Sequence, residues 1–269
     1  MSRKGRLIII GGAEEKDGHK RTILEEVAKA ARAKPVVLLT VATQEPEETA
    51  KTYTKVFQEL GLRKVRVLDI REREDALERK NVKLIEDAGV VFMTGGDQLR
   101  ITSQIGDSDV FQTMQQLFKE GGTIAGTSAG AAAMSETMIL SGNSDESSEI
   151  SSLGLAPGLG FVSDLVIDSH FAERGRIGRL LGAVTQNPKN LGIGIDEDTA
   201  IVLENHHFRV IGSGAVYVVD GTEISYSSLS EKTPEGILTI HNAKLHVLGD
   251  GDRFDVAKKE PLIPAYASK

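Results

Sequence analysis

Five short apolar runs, Leu7–Ile10, Val36–Leu39, Val65–Ile70, Val90–Met93 and Thr123–Ala125, recur through the first half of the chain, with amphipathic stretches between them. That alternation is the pattern of βαβ units, which build a largely parallel sheet flanked by helices. Between the first two runs, Ile23, Leu24, Val27, Ala28 and Ala31 fall at helical spacing, and Pro35 follows as a stop. A second helix is predicted over Glu47–Leu60, with glutamates early, Lys51 and Lys55 later, and Gly61 placed to cap its end. Arg71–Lys80 mixes charges of both signs and reads as a solvated face rather than a binding tail.

The second half changes character. Apolar runs at Leu165–Ile167, Leu191–Ile195, Ala200–Leu203, Val210–Ile211 and Ala215–Val219 follow closely on one another, and Asp220-Gly221 gives a turn signal. The expectation is one α/β domain over 1–269 whose portion from about residue 200 is β-rich. Ser141–Ser152 is small, polar and acidic, the composition of an exposed flexible loop placed to lie over an active site.

Composition removes several function classes. A net charge of −7 has the wrong sign for neutralising phosphates over a broad surface, so no nucleic-acid partner is expected. Aromatic residues are only 4%, too few for base stacking or for a membrane-interface belt. Without cysteine there is no disulfide framework, thiolate nucleophile or cysteine metal site, and neither a metal nor a cofactor is expected. Leu7–Ile10 is too short for the apolar region of a signal peptide, and no run approaches the roughly 18 to 20 apolar residues of a membrane span. A cytoplasmic protein, working as a homodimer and without a membrane partner, is the expected form.

Chemistry concentrates in Gly126-Thr-Ser-Ala-Gly130, which follows a short strand and opens a small-residue helix. That is the context in which Gly-x-Ser-x-Gly holds a nucleophile on a strained strand-to-helix turn. Ser128 is the candidate, and the next amide, Ala129 N–H, can stabilise an oxyanion. A serine needs a positioned base. Of six histidines, His170 stands directly after the apolar strand in Val166-Ile-Asp-Ser-His-Phe171, with Asp168 close by. Another strand ends in Asp196-Glu-Asp198, and spacing alone does not choose among its three acids. Gly95-Gly96, ahead of Asp97 and Gln98, is a candidate for the second oxyanion donor, with Gly96 preferred. Gly11-Gly-Ala-Glu-Glu15 lacks the third glycine of a dinucleotide turn, and nucleotide binding is set aside. In Arg174-Gly-Arg-Ile-Gly-Arg179, a helix starting near Gly175 would bury Ile177, Leu180 and Leu181 and present Arg176 and Arg179 together on the opposite face.

Taken together, Gly95–Gln98, Gly126–Ala131, Ile167–Arg179 and Gly194–Ala200 resemble the cyanophycinases. These are serine peptidases related to the aspartyl dipeptidases, with a flavodoxin-like fold of the class I glutamine amidotransferase type. The resemblance implies Ser128 as nucleophile, His170 as general base and Glu197 as orienting acid. It implies a pocket of Gln98, Asp168, Arg174, Arg176 and Arg179 for a β-aspartyl-arginine unit. The implied substrate is cyanophycin, a polyaspartate bearing arginine on each side-chain carboxyl, degraded to β-Asp-Arg. Ser169 stands where glutamine is expected in many members. An isoaspartyl or α-aspartyl dipeptidase, and a catalytically silent binding module on the same fold, are the alternative readings.

Overall fold

The computed structural model describes residues 5–18, 20–141, 153–230 and 237–262, so most of the acidic Ser141–Ser152 segment lies outside the described residues. The first half runs β1 (Arg6–Ile10), α1 (Thr22–Ala31), β2 (Val36–Leu39), α2 (Pro46–Glu59), β3 (Val65–Leu68), a 3-10 turn at Arg73–Leu77, α3 (Arg79–Glu86), β4 (Val90–Met93), α4 (Gln98–Ile105), α5 (Asp109–Lys119), β5 (Thr123–Thr127) and α6 (Ala129–Ala132). After it come β6 (Thr137–Ser141), β7 (Gly154–Pro157), β8 (Leu165–Ser169), α7 (Ile177–Gln186), β9 (Leu191–Ile195), β10 (Thr199–Glu204), β11 (His207–Gly212) and β12 (Val216–Asp220). Short strands complete the described chain: β13 (Tyr226–Ser227), β14 (Ile240–His241), β15 (Lys244–Leu248), β16 (Arg253–Asp255) and β17 (Glu260–Pro261).

Strands β1, β5, β4, β2 and β3 lie side by side in that order and pair in parallel. Beyond β1 the same sheet continues antiparallel through β10, β11, β16 and β17. The sheet is therefore mixed, with a parallel core and antiparallel strands added at the β1 edge, where β10-β11 and β16-β17 are hairpins. The alternation of side chains explains why these strands read as uninterrupted apolar runs. Ile8, Ile10, Val36, Leu38, Val90 and Phe92 face one cluster under α1 and α2, while Leu7, Ile9, Val37, Leu39, Val91 and Met93 face the other. On the first face Tyr53 and Phe57 of α2 meet Phe92, with ring centroids 4.9 and 5.7 Å away, each fully buried phenylalanine stabilising the fold by about 1.5–3 kcal/mol.

A second sheet, ordered β15-β12-β9-β8, packs on the other face. Its inner residues Leu165, Ile167, Leu191, Ile193, Ile195, Val216 and Val218 share one core with Leu7, Ile9 and Met93 of the first sheet. α7 covers its outer side through Leu180, Ala183 and Val184. Because β8 and β9 are parallel, their carboxyl ends open together, and these meet the carboxyl ends of β1 and β5. No helix among the described residues is long and apolar enough to cross a membrane.

Candidate active site

Between β5 and α6 the chain turns within one residue. Ser128 has φ 52° and ψ −111°, a conformation costing a non-glycine residue of order 1–3 kcal/mol. Hydrogen bonds on both sides hold it there: its N–H donates to Ile10 O at 3.0 Å, and its carbonyl accepts from Ala131 and Ala132 N–H at 3.0 Å. The flanking glycines are needed for space. A Cβ on Gly126 would stand 2.5 Å from Gly130 O, and one on Gly130 would stand 2.3 Å from Met93 O.

His170 leaves the end of β8 with φ 49°, its N–H bound to Gly11 O at 2.8 Å. Its Nε2 lies 2.9 Å from Ser128 Oγ and its Nδ1 2.6 Å from Glu197 Oε1. With Nδ1–H donating to the carboxylate, Nε2 is the acceptor that faces the serine hydroxyl. The three acids after β9 separate by their donors. Asp196 accepts from Ala172 N–H at 2.9 Å and Ala215 N–H at 3.0 Å, while Asp198 accepts from Glu15 N–H at 3.0 Å and Ser213 Oγ–H at 2.8 Å. Glu197, between two acids tied to loop backbone, is the one that turns onto the imidazole.

The β1 exit organises this meeting, and the sequence reading gave it no role. Ile10 O holds Ser128, Gly11 O holds His170, and Gly12 O accepts from Asp198 N–H at 2.9 Å. Gly12, at φ 104°, also forms a wall for the ring: a Cβ there would lie 2.3 Å from His170 Cε1. Gly12→Ala is expected to displace the imidazole and lower kcat/KM by roughly 100-fold, the scale of an ångström misplacement. Steady-state kinetics beside a melting curve check this, and wild-type kcat/KM in the variant would remove Gly12 from the site.

Of the two glycines offered as oxyanion donors, Gly95 is the nearer to the serine, since a Cβ there would lie 3.4 Å from Ser128 Cβ. Gly96, preferred from the sequence, is packed with φ 139° against Ala42, whose carbonyl oxygen a Cβ would meet at 2.1 Å. Ala129 opens α6 directly behind the serine. Gln98, first residue of α4, donates through Nε2 to Ile139 O at 2.9 Å. The arginines need a correction. α7 begins at Ile177, which is 40% exposed, while Arg179 is buried. A buried counter-charge draws it inward: Arg179 Nε donates to Asp168 Oδ2 at 2.6 Å and its Nη2 to Oδ1. Arg176 Nη1 reaches the same Asp168 Oδ1 at 3.2 Å and Ser169 O at 2.5 Å. Burial, partly offset by Asp168, brings the Arg176 guanidinium down to about 10. Arg174 is exposed. Asp168, which the resemblance puts in the substrate pocket, is only 2% exposed and has both oxygens taken by the chain's own arginines, so it is not open to a substrate guanidinium. An exposed acid beside Glu197 is Glu173, whose Oε1 accepts from Glu197 N–H at 3.2 Å. Among the described residues no cluster of histidine and acids is arranged to hold a metal ion.

The profile of peptidase family S51 matches residues 7–211. A cyanophycinase of Geminocystis herdmanii is 37% identical over 260 residues, covering 95% of each chain, and one from a Nostoc species is 40% identical over 263 residues, covering 96% of this chain and 88% of its own. Among solved structures, a peptidase from an acI-B1 actinobacterium superposes with a TM-score of 0.71 at 20% identity over 94% of this chain and 98% of its own. A putative peptidase E protein from Listeria monocytogenes gives 0.55 at 16% identity over 78% of this chain and all of its own. Those two show the shared fold, whereas the profile and the full-length relatives decide the family, and the chain with the Ser128 turn belongs to peptidase family S51, as a serine peptidase.

Proposed function

We propose that this peptidase degrades cyanophycin to β-Asp-Arg dipeptides, with Ser128 as nucleophile, His170 as general base and Glu197 as the acid that orients it. The observation that carries the reading is the continuous relay from Ser128 Oγ through the imidazole to Glu197, set on a strained turn. Its substrate comes from the relatives named cyanophycinase, 35–40% identical over 94–96% of this chain.

In this mechanism Ser128 Oγ attacks the scissile carbonyl as its proton passes to His170 Nε2. Glu197 stabilises the imidazolium through Nδ1–H. Ala129 N–H, with an amide of Gly95-Gly96, receives the oxyanion in the tetrahedral intermediate. Collapse releases the amine, protonated by the imidazolium, and leaves an acyl-serine. A water deprotonated by the same imidazole then frees the carboxylate and restores the serine.

The charged handles of the substrate divide between the open groups. Exposed Arg174 and half-buried Arg176 suit the arginine carboxylate, Glu173 suits the guanidinium, and Gln98 borders the pocket. Asp168, itself clamped by Arg179, holds Arg176 in place. Arg174→Ala is accordingly expected to weaken use of arginine-bearing β-aspartyl substrates roughly 10-fold with no change in melting temperature, the worth of about one charge-assisted bond. Arg179→Ala instead breaks a buried pair and should destabilise the protein by about 3 kcal/mol, near the low end because Arg176 still reaches Asp168. Kinetics on peptide and simple ester substrates beside thermal melts distinguish the two. An Arg179→Ala protein of wild-type stability would overturn its supporting role.

Incubation with insoluble cyanophycin and with β-Asp-Arg, β-Asp-Leu and Asp-Leu peptides, followed by mass analysis, tests the function. Release of β-Asp-Arg from the polymer is expected. Cleavage of Asp-Leu with the polymer untouched would transfer the chain to the aspartyl dipeptidases. We further propose a homodimer, supported by Leu245 and Val247 on the outer strand β15, which are 52% and 57% exposed. Light scattering at micromolar concentration tests the assembly, and a monomer there refutes it.

A further inference from the structure

Behind the nucleophile turn lies an acid that the relay does not use. Glu14 is 2% exposed, and its carboxylate accepts from Thr127 Oγ1 at 2.6 Å and from the Tyr53 hydroxyl. The Lys16 ammonium is 3.3 Å away, also donating to Glu14 O at 3.1 Å, and it lies 5.2 Å from the centre of the Tyr53 ring. A carboxylate is an acceptor only, so both hydroxyls must donate inward, and their orientation is fixed. Burial and then the Glu14 charge push the Tyr53 phenol well above its ordinary value, which keeps it a donor.

The connections of Glu14 set it apart from an ordinary buried ion pair. It sits two residues after Gly12, in the segment whose carbonyls hold Ser128, His170 and Asp198. Thr127, its hydroxyl partner, is the residue immediately before Ser128 and is itself 3% exposed. Tyr53 belongs to α2 and packs on Phe57 and Phe92 in the core. One side chain therefore ties the segment that accepts the His170 N–H to the strand tip that leads into Ser128, and anchors both to a core helix. An apolar residue of similar volume would fill the same space without the desolvation penalty of a buried charge, so packing alone does not account for an acid here.

We propose that Glu14 is a positioning residue for the nucleophile: through Thr127 Oγ1 and Tyr53 Oη its buried carboxylate sets the tip of β5, and with it the distance between Ser128 Oγ and His170 Nε2. Ser128 stands in a strained conformation that relaxes unless its neighbours over-determine it, and Glu14 supplies one of those constraints on the side away from the substrate.

The proposal rests on Ser128 being the nucleophile, so the experiment begins with a fluorophosphonate probe and peptide mapping of the adduct in the wild-type protein. An adduct absent from Ser128 would overturn both readings; an adduct on Ser128 leaves Glu14 to be judged alone. Glu14→Gln, nearly isosteric, and Thr127→Val, which removes only the hydroxyl donor, should each slow labelling of Ser128 and lower kcat by roughly 10- to 100-fold, the scale of a misplaced reacting atom. KM should stay within about twofold, because no substrate contact is removed. Thr127→Ser, which restores the donor, should recover most of the rate, and Glu14→Gln combined with Thr127→Val should cost no more than the worse of the two. Folded variants with lowered melting temperatures that label at the wild-type rate would overturn the proposal, as would failure of Thr127→Ser to recover beyond Thr127→Val. Should Glu14→Gln yield no folded protein, the Thr127 pair decides by the same criteria.

Discussion

Replacing Ser128 with alanine is expected to lower kcat for release of β-Asp-Arg by about a millionfold, the loss seen when one member of a serine triad that works as a unit is removed. The fold should survive. Ser128 makes its structural bonds through the main chain, to Ile10 O on one side and from Ala131 and Ala132 N–H on the other, and alanine keeps all three. The hydroxyl itself is bonded to the imidazole, whose removal from that contact leaves Nε2 facing solvent or substrate instead of a buried void. Alanine bears the same positive-φ strain as serine, so the melting temperature should move little. Residual turnover would come from an oxyanion site that still polarises the carbonyl. Initial rates over long incubations, with mass detection, cover the range needed. A variant that kept a tenth of the activity would end the assignment of Ser128.

How far the sequence went depended on whether a residue's environment is set by its neighbours along the chain. β2 and β4 match their apolar runs residue for residue because both faces of a central parallel strand are buried. At the sheet edge the agreement loosens: the run to Ile70 overshoots β3, which ends at Leu68, although Ile70 remains buried after leaving the ladder. The turn signal at Asp220-Gly221 is real, with Asp220 accepting from Thr222 N–H at 3.0 Å, yet β12 pairs with β9 and β15 across longer connections. Periodicity puts Arg179 on the wrong side of its helix because its partner, Asp168, lies on a strand, and periodicity carries no information about a buried counter-charge. Glu14 stays hidden in the sequence for the same reason, since its hydroxyl partners Thr127 and Tyr53 lie on a distant strand and helix. Ser128 and His170 were legible because each stands where a strand ends, and strand ends are what apolar runs mark.

Glu197 could be singled out from sequence only by resemblance, and its substitution is the sharper test of the relay. Glu197→Gln should lower kcat by about 10⁴-fold with KM little changed. The reason is the tautomer. A carboxylate 2.6 Å from Nδ1 accepts a hydrogen bond from Nδ1–H and holds the proton on that nitrogen, and this leaves the Nε2 lone pair pointing at Ser128 Oγ. A carboxamide can turn its NH₂ to Nδ1 and stabilise the opposite tautomer, in which Nε2–H meets the hydroxyl and cannot take its proton. It also removes the negative charge that stabilises the imidazolium once formed. Asp196→Asn and Asp198→Asn present a different chemistry. Asp196 accepts two backbone N–H groups, from Ala172 and Ala215, and an asparagine can satisfy only one of them, so about 1–3 kcal/mol of stability should go with a smaller loss of rate. Asp198, bonded to Glu15 N–H and Ser213 Oγ, should behave similarly and more mildly, since its surroundings are partly exposed. Rates and melting curves on the three variants therefore separate along two axes, with Glu197→Gln losing turnover at nearly constant stability and Asp196→Asn losing stability first. Equal losses of turnover at all three positions would mean that the acidic turn acts as a diffuse negative field, and Glu197 would have no special claim on the imidazole.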